Sequence, residues 1–308
     1  MKKELILVHG ARLDLPGVLW LPEGEVIAVL QITHGMTEHM GRYETLARML
    51  TDSGIAAAGF DLPGHGLSGS DPDCASFGED GWEEALAAMH TLGSMLAQRF
   101  PAAPRFLLGF SLGSFLVRDY LDRGADDLAG AAILGTGDQP GAVLSLMRMI
   151  VRTQIKKAGF DHTTPLVQSL SFGTYNKKFA PNRTAADWLC ADTQQLDCYL
   201  ADPLCRPAIS AGLFYQLLGS MQRTGKAACK GWKKDLPILL LSGDKDPVGD
   251  MSKGVLHLRR AMDKAQLQCV TMHLLPGARH DVLHEEDSAC AAKARDLLLA
   301  WMLVNIPG

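Results

Sequence analysis

Gly109-Phe110-Ser111-Leu112-Gly113 has the spacing G-x-S-x-G. The preceding run, Phe106-Leu107-Leu108, is strand-like, and the run that follows is amphipathic, so Ser111 falls on a strand-to-helix turn. Such a turn exposes the hydroxyl, and glycines two residues to either side let neighbouring backbones approach. A serine hydroxyl is a poor nucleophile until a base takes its proton, so the motif calls for a histidine and for a carboxylate to orient it. The bare five-residue pattern also fits a glycine-rich helix N-cap around an ordinary serine. Strand before and helix after favour the nucleophile.

On a sheet of this kind the order is serine, then acid, then histidine. Of ten histidines, His257, His273, His280 and His284 lie in the second α/β stretch. His280 closes the loop Pro276-Gly277-Ala278-Arg279-His280 after the last apolar strand, where catalytic loops collect in open α/β sheets. His273 falls inside a strand and His257 inside a helix, so both read as structural; His284, about one helical turn beyond His280, is the rival. The acid belongs in Gly243-Asp244-Lys245-Asp246-Pro247-Val248, and Asp244 and Asp246 both qualify by position. One would meet the histidine, while the other caps a turn. The oxyanion requires backbone donors: the Leu112 N–H, and one from the loop His34-Gly35-Met36. His34 reads as shaping that loop rather than as the base.

These groups must be held by elements, and the chain supplies them in an alternating rhythm. Val26–Thr33, Ile55–Phe60, Arg105–Gly109, Gly130–Leu134, Pro237–Leu241 and Leu267–Leu275 read as strands. Arg42–Asp52, Gly81–Arg99, Leu112–Arg123, Ser252–Met262 and Asp287–Val304 read as helices. Apolar strands without alternation, separated by helices, imply a parallel sheet covered on both faces. The rhythm stops at Gly135-Thr136-Gly137-Asp138 and resumes near Leu236. Between them Leu144–Val151 and Ile209–Met221 read as helices, and no strand is evident. The expected organisation is a core of 1–137 and 232–308 with a helical insertion over 138–231.

The 308 residues carry 47% hydrophobic and 21% charged side chains and a formal net charge of −4, which excludes disorder and argues against a nucleic-acid partner. No apolar run is long enough to span a bilayer, and Leu5–Val8 is too short for a signal-peptide core, so the expected location is cytoplasmic. Seven scattered cysteines without a C-x-x-C pair read as reduced thiols. No ligand cluster with metal spacing occurs, so neither metal nor cofactor is expected.

His34-Gly35-Met36-Thr37-Glu38-His39-Met40-Gly41-Arg42-Tyr43 resembles the H-G-x-x-E-H-x-x-R-Y segment of monoacylglycerol lipases and related lysophospholipases. Asp61-Leu62-Pro63-Gly64-His65-Gly66-Leu67-Ser68-Gly69 resembles their D-x-x-G-H-G-x-S-x-G turn, and Asp202-Pro203-Leu204-Cys205 is a fainter echo. The resemblance implies an α/β-hydrolase fold, a mostly parallel sheet with helices on both faces and an inserted helical cap. It implies nucleophile Ser111, acid Asp246, base His280 and oxyanion donors Met36 and Leu112. Two departures could reshape the pocket: Met40 where the family often has serine, and Phe110 where histidine is frequent.

The expected activity is hydrolysis of carboxylic esters of apolar acyl groups through an acyl-enzyme. The substrate is a small-molecule ester, with transient contact to a lipid surface through the cap. Phe110, Leu213 and Leu217 are candidate substrate-binding residues, the leucines from the four-spaced stripe Ile209, Leu213, Leu217, Met221. That stripe could equally pack the cap onto the core. A peptidase, an amidase or a small-ester esterase would use the same machinery, although the loop His34–Glu38 differs from the H-G-G-P-G of proline iminopeptidases. Epoxide hydrolases and dehalogenases place an aspartate where Ser111 stands. A non-catalytic binding module is the reading from another class. Acyl length, head group and oligomeric state are left open.

Overall fold

The computed structural model describes residues 1–124, 127–227, 229–284 and 290–307. Among them the strands are β1 (Lys2–His9), β2 (Asp14–Leu21), β3 (Ala28–Thr33), β4 (Ile55–Phe60), β5 (Cys74–Ala75), β6 (Arg105–Phe110), β7 (Gly130–Leu134), β8 (Ala208–Ile209), β9 (Ile238–Gly243) and β10 (Val270–Leu275). The helices are α1 (Glu44–Asp52), α2 (Gly81–Arg99), α3 (Leu112–Asp122), α4 (Gly141–Ala158), α5 (Pro165–Gln168), α6 (Thr174–Asn176), α7 (Thr193–Ala201), α8 (Ala211–Ala227), α9 (Lys253–Lys264) and α10 (Cys290–Val304). Among the described residues no helix is long and apolar enough to cross a membrane.

The unbroken apolar runs become the inner strands of an eight-stranded sheet in the order β1-β2-β4-β3-β6-β7-β9-β10. From β4 to β10 every pairing is parallel, and β3, β4, β6, β7 and β9 are buried along their whole length. This is the pattern expected of strands with helices on both faces. Register does the positioning. Thr33 pairs with Gly109, Phe110 with Leu134, Leu134 with Leu241, and Gly243 with Leu275. The loops that follow β3, β6, β9 and β10 therefore leave the sheet at one edge.

The N-terminal hairpin is not foreseen by the sequence reading. β1 and β2 pair antiparallel, and β2 pairs antiparallel with β4. Leu5 and Leu7 point to solvent from the edge strand while Ile6 and Val8 turn inward, but both faces are apolar in this run, so the sequence lacks the polar alternation that marks a half-buried strand. The expected last helix began at Asp287; residues 287–289 lie outside the described residues, and α10 is described from Cys290.

Between β7 and β9 the chain is mostly helical, as expected, with one exception: β8 adds in parallel to β5, a two-residue pairing too short to leave a periodic signal. α8 packs on α4 and also on α3 of the core. Val151, Val167, Ile209 and Leu213 from this stretch share one buried cluster with Leu112 and Leu116 of α3. Ile209 sits in β8 rather than on the helix it was expected to open.

The turn from β6 into α3 depends on two glycines. A Cβ on Gly109 would lie 2.3 Å from the Gly113 carbonyl oxygen, and one on Gly113 only 2.0 Å from that of Thr33. Backbone blocks both sites, so no side chain can move aside. Gly113→Ala is expected to cost about 1–3 kcal/mol and lower the melting temperature by several degrees. Gly24→Ala, where a Cβ meets nothing within 4 Å, should be near neutral in the same thermal melts.

Candidate active site

Ser111 sits between β6 and α3 with φ 51° and ψ −115°, a conformation strained for any residue with a side chain. Its amide donates to the Leu134 carbonyl at 2.9 Å, and its carbonyl accepts from the Ser114 amide at 2.8 Å, so the turn is pinned from both sides. Leu112 opens α3, and the first amides of a helix have no acceptor within it.

His280 lies in the loop after β10 with its Nδ1 2.9 Å from Asp246 Oδ1, and both side chains are essentially inaccessible to solvent. Asp246 also accepts from the Val248 amide at 2.8 Å and the Ser242 hydroxyl at 3.3 Å. The other imidazole nitrogen, Nε2, is buried, has no hydrogen-bond partner among the described residues, and belongs to a ring lining the same cavity as Ser111. Asp244, equivalent by spacing, instead accepts the Gly277 amide at 2.8 Å and closes a turn. His284 is engaged on both sides, by Asp281 at 2.7 Å and the Arg42 carbonyl at 2.9 Å. His257 pairs with Asp138 at 2.8 Å. His34 donates from Nδ1 to the Gly35 carbonyl and accepts the Leu62 amide at Nε2, and burial lowers its pKa, as suits a neutral loop-shaping ring.

The loop carrying Met36 is shaped by a buried ionic network. Glu38 accepts the Gly35 amide at 2.5 Å and the Tyr43 hydroxyl at 2.8 Å, and pairs with Arg42. Arg42 reaches Asp281 at 2.8 Å, beside His280. Although burial opposes it, His284 and Arg42 hold the Asp281 carboxyl well below the usual carboxylate range. Burial, reinforced by Glu38, pushes the Tyr43 phenol well above its ordinary value. In the Asp61–Gly69 segment Asp61 holds the turn by accepting the Met40 and Leu67 amides, each at 2.8 Å. Nearby His39, Asp202 and Cys205 bring three metal-capable atoms within 4.8 Å of one another. However, His39 Nδ1 accepts the Gly41 amide, so Nε2 carries the ring proton and donates it to Asp202 at 2.9 Å. A metal-bound imidazole has the opposite arrangement, with its remote nitrogen donating.

Ser111, His280, Met36, Leu112, Phe110 and Leu217 all line one cavity of about 280 Å³. Leu213, expected there, is not among the lining residues; it is fully buried in the core cluster shared with α3. The walls are otherwise mostly apolar, with Phe115, Leu144, Phe172, Phe214 and Met221 prominent and Thr37, Gln139, Tyr175 and Tyr199 adding neutral polar groups. Among the described lining residues Glu38 and Arg42 are the carboxylate and guanidinium, and they pair with each other, Arg42 also with Asp281. Sequence reasoning missed Trp188, whose ring lies 5.1 Å from the His280 ring. It stands in a turn without periodicity, and no local signal marks it.

The chain is 29% identical over 279 residues to human monoglyceride lipase, covering 87% of this chain and 79% of that protein. It is 24% identical over 295 residues to a monoacylglycerol lipase of Mycolicibacterium smegmatis, covering 94% and 92%. Its fold matches that of a thermostable carboxyl esterase from Bacillus coagulans with a TM-score of 0.90 at 20% identity, over the whole of both chains. The sequence profile described as serine aminopeptidase, S33, matches residues 24–287. With its mostly parallel sheet and the sharp strand-to-helix turn at Ser111, the chain belongs to this serine aminopeptidase S33 family of α/β-hydrolases.

Proposed function

We propose that the protein is a carboxylic-ester hydrolase for small neutral esters of apolar acyl groups, of the monoacylglycerol type. The observation that carries this reading is the lining of the cavity: apolar walls around Ser111 and His280, with the carboxylate and guanidinium on its wall already paired. An aminopeptidase requires a free carboxylate for the substrate ammonium, and a lysophospholipase a free cation for phosphate. Glu38 and Arg42 are committed elsewhere.

In the proposed mechanism Ser111 Oγ attacks the ester carbonyl while His280 Nε2 takes its proton. Asp246 holds Nδ1–H and stabilises the resulting imidazolium. The amides of Met36 and Leu112 donate to the oxyanion. Collapse expels the alcohol, which receives the proton from His280, and leaves an acyl-enzyme. A water then attacks the acyl-enzyme with its proton passing to His280, which returns it to Ser111 Oγ as the carboxylic acid departs. The insertion, residues 138–231, acts as a cap supplying acyl-site walls from α4 and α8. α4 also offers a lipid surface: Val143, Leu146 and Met149 are exposed, and the helix carries Arg148, Arg152, Lys156 and Lys157 but no acid.

Ser111→Ala is expected to abolish turnover and fluorophosphonate labelling with the melting temperature retained, a loss of about 10⁴–10⁶ in rate. Near-normal hydrolysis would overturn the assignment. Asp246→Asn should cost about 10⁴, because it favours the wrong imidazole tautomer and removes the charge facing the cation. Asp244→Asn should cost far less. A panel of monoacylglycerols, lysophospholipids and aminoacyl anilides should show turnover on the first; preference for an anilide would support a peptidase instead.

Leu217→Trp should shift the acyl optimum to shorter chains, by about tenfold in kcat/KM for two methylenes excluded. Leu213→Trp should instead lower the melting temperature with a flat chain-length profile. Leu146→Asp should weaken cosedimentation with vesicles containing an anionic phospholipid and leave hydrolysis of a soluble short ester intact; unchanged cosedimentation would remove α4 as the contact.

A further inference from the structure

Two aromatic rings pack on the imidazole of His280: Phe110, with centroids 5.0 Å apart at 38°, and Trp188, at 5.1 Å and 36°. Phe110 comes from the nucleophile motif, but Trp188 comes from the insertion, in the turn that precedes α7. Trp188 is itself held firmly. Phe172 stacks on it at 5.7 Å and 19°, Tyr175 lies at 5.3 Å, and its amide donates to Asn176 Oδ1 at 3.0 Å.

The backbone around Trp188 is also stitched to the backbone around His280. The Arg279 guanidinium donates to the Asp187 carbonyl and, at 3.2 Å, to that of Cys190. The Asp281 amide donates to the Leu189 carbonyl at 2.7 Å. Residues on both sides of the histidine thus bond to residues on both sides of the tryptophan. Two segments far apart in the chain are registered so that indole meets imidazole.

We infer that Trp188 is a positioning residue for His280, fixing the imidazole plane and stabilising its cation with the indole π-system. The inference rests on the reading of His280 as the base. The Asp246 bond fixes one nitrogen but leaves the ring free to turn about that contact; aromatic packing on the ring removes this freedom and keeps Nε2 directed at the cavity. When His280 accepts the serine proton, the buried imidazolium meets Asp246 at Nδ1 and aromatic rings beside it, and a cation against such a ring is favoured most where water is excluded. Among the described residues the other ionisable groups beside the ring are Tyr175 and the flanking Arg279 and Asp281, turned toward backbone carbonyls and Arg42. Glu38 and Arg42 line the same cavity as a pair.

The competing role for Trp188 is a mere wall of the acyl site, and kinetics separate the two. Trp188→Met keeps apolar bulk without the π-system, Trp188→Phe keeps a ring, and Trp188→Leu is the smaller truncation. On a soluble acetate ester, which barely enters the acyl site, Trp188→Met and Trp188→Leu should lower kcat about tenfold with KM changed less than about twofold. Trp188→Phe should recover most of that loss. The acid limb of the kcat/KM profile should move to lower pH in Trp188→Met, since the cation loses its stabilising ring. Simple resolvation of the imidazole would move it the other way. Full activity of Trp188→Met on acetate, a loss confined to long acyl chains or to KM, or an acid limb that stays or rises would each overturn the proposal. Melting temperatures establish that each variant folds, and Trp188→Met and Trp188→Phe carry the test should Trp188→Leu unfold. His280→Ala is assayed alongside: normal activity there would refute the base itself, whereas an inactive His280→Ala beside a fully active Trp188→Met would refute the role of Trp188 alone.

Discussion

Arg42 is a buried cation between two buried carboxylates, Glu38 and Asp281, and much of the site's geometry follows from that arrangement. A guanidinium taken out of water is tolerated only when its charge and donors are satisfied, and removing Arg42 would leave two buried carboxylates without their shared cation. Glu38 belongs to the loop after β3, where it also holds the Gly35 amide just before Met36. Asp281 belongs to the loop after β10 and follows His280 directly. One side chain therefore ties the loop proposed to receive the oxyanion to the loop proposed to supply the base. The H-G-x-x-E-H-x-x-R-Y motif is legible as physics: glutamate and arginine i,i+4 apart form the pair, and the tyrosine hydroxyl fills a remaining carboxylate position.

The sharp turn at Ser111 is readable in the sequence because three local signals coincide: an apolar strand, two glycines at fixed offsets and an amphipathic helix. Those glycines leave no room for a Cβ, so local pattern and tertiary packing agree. The choice between Asp244 and Asp246 was not readable from spacing. It depends on which carboxylate the turn aims at Gly277 and which at His280, a matter of loop conformation that only family resemblance could anticipate. His284 qualifies by position as well, but Asp281 and the Arg42 carbonyl engage both of its ring nitrogens.

The leucine stripe misled for a geometric reason. Residues four apart on an α-helix advance about 400°, so a four-spaced row drifts about 40° per step around the axis. Leu213 faces the core, whereas Leu217 and Met221 have drifted onto the cavity wall. The insertion also proved less separable than a composition change suggests. β8 extends a pairing begun by β5, His39 bonds Asp202, and α8 rests on the helix that starts at Leu112. A single buried cluster runs through both parts, which implies that α8 unfolds with the sheet rather than ahead of it.

The positive φ of Ser111 carries a further consequence for how the chain can drift under mutation. A residue forced into that region by its surroundings destabilises the native state, while glycine adopts it without penalty. At this position, as at other non-glycine residues of positive φ such as Met251 and Ser252, random substitution thus has a downhill route: a chain under no demand for a hydroxyl at Ser111 would gain thermodynamic stability by exchanging serine for glycine. A serine at position 111 is therefore held at a cost to the folding free energy.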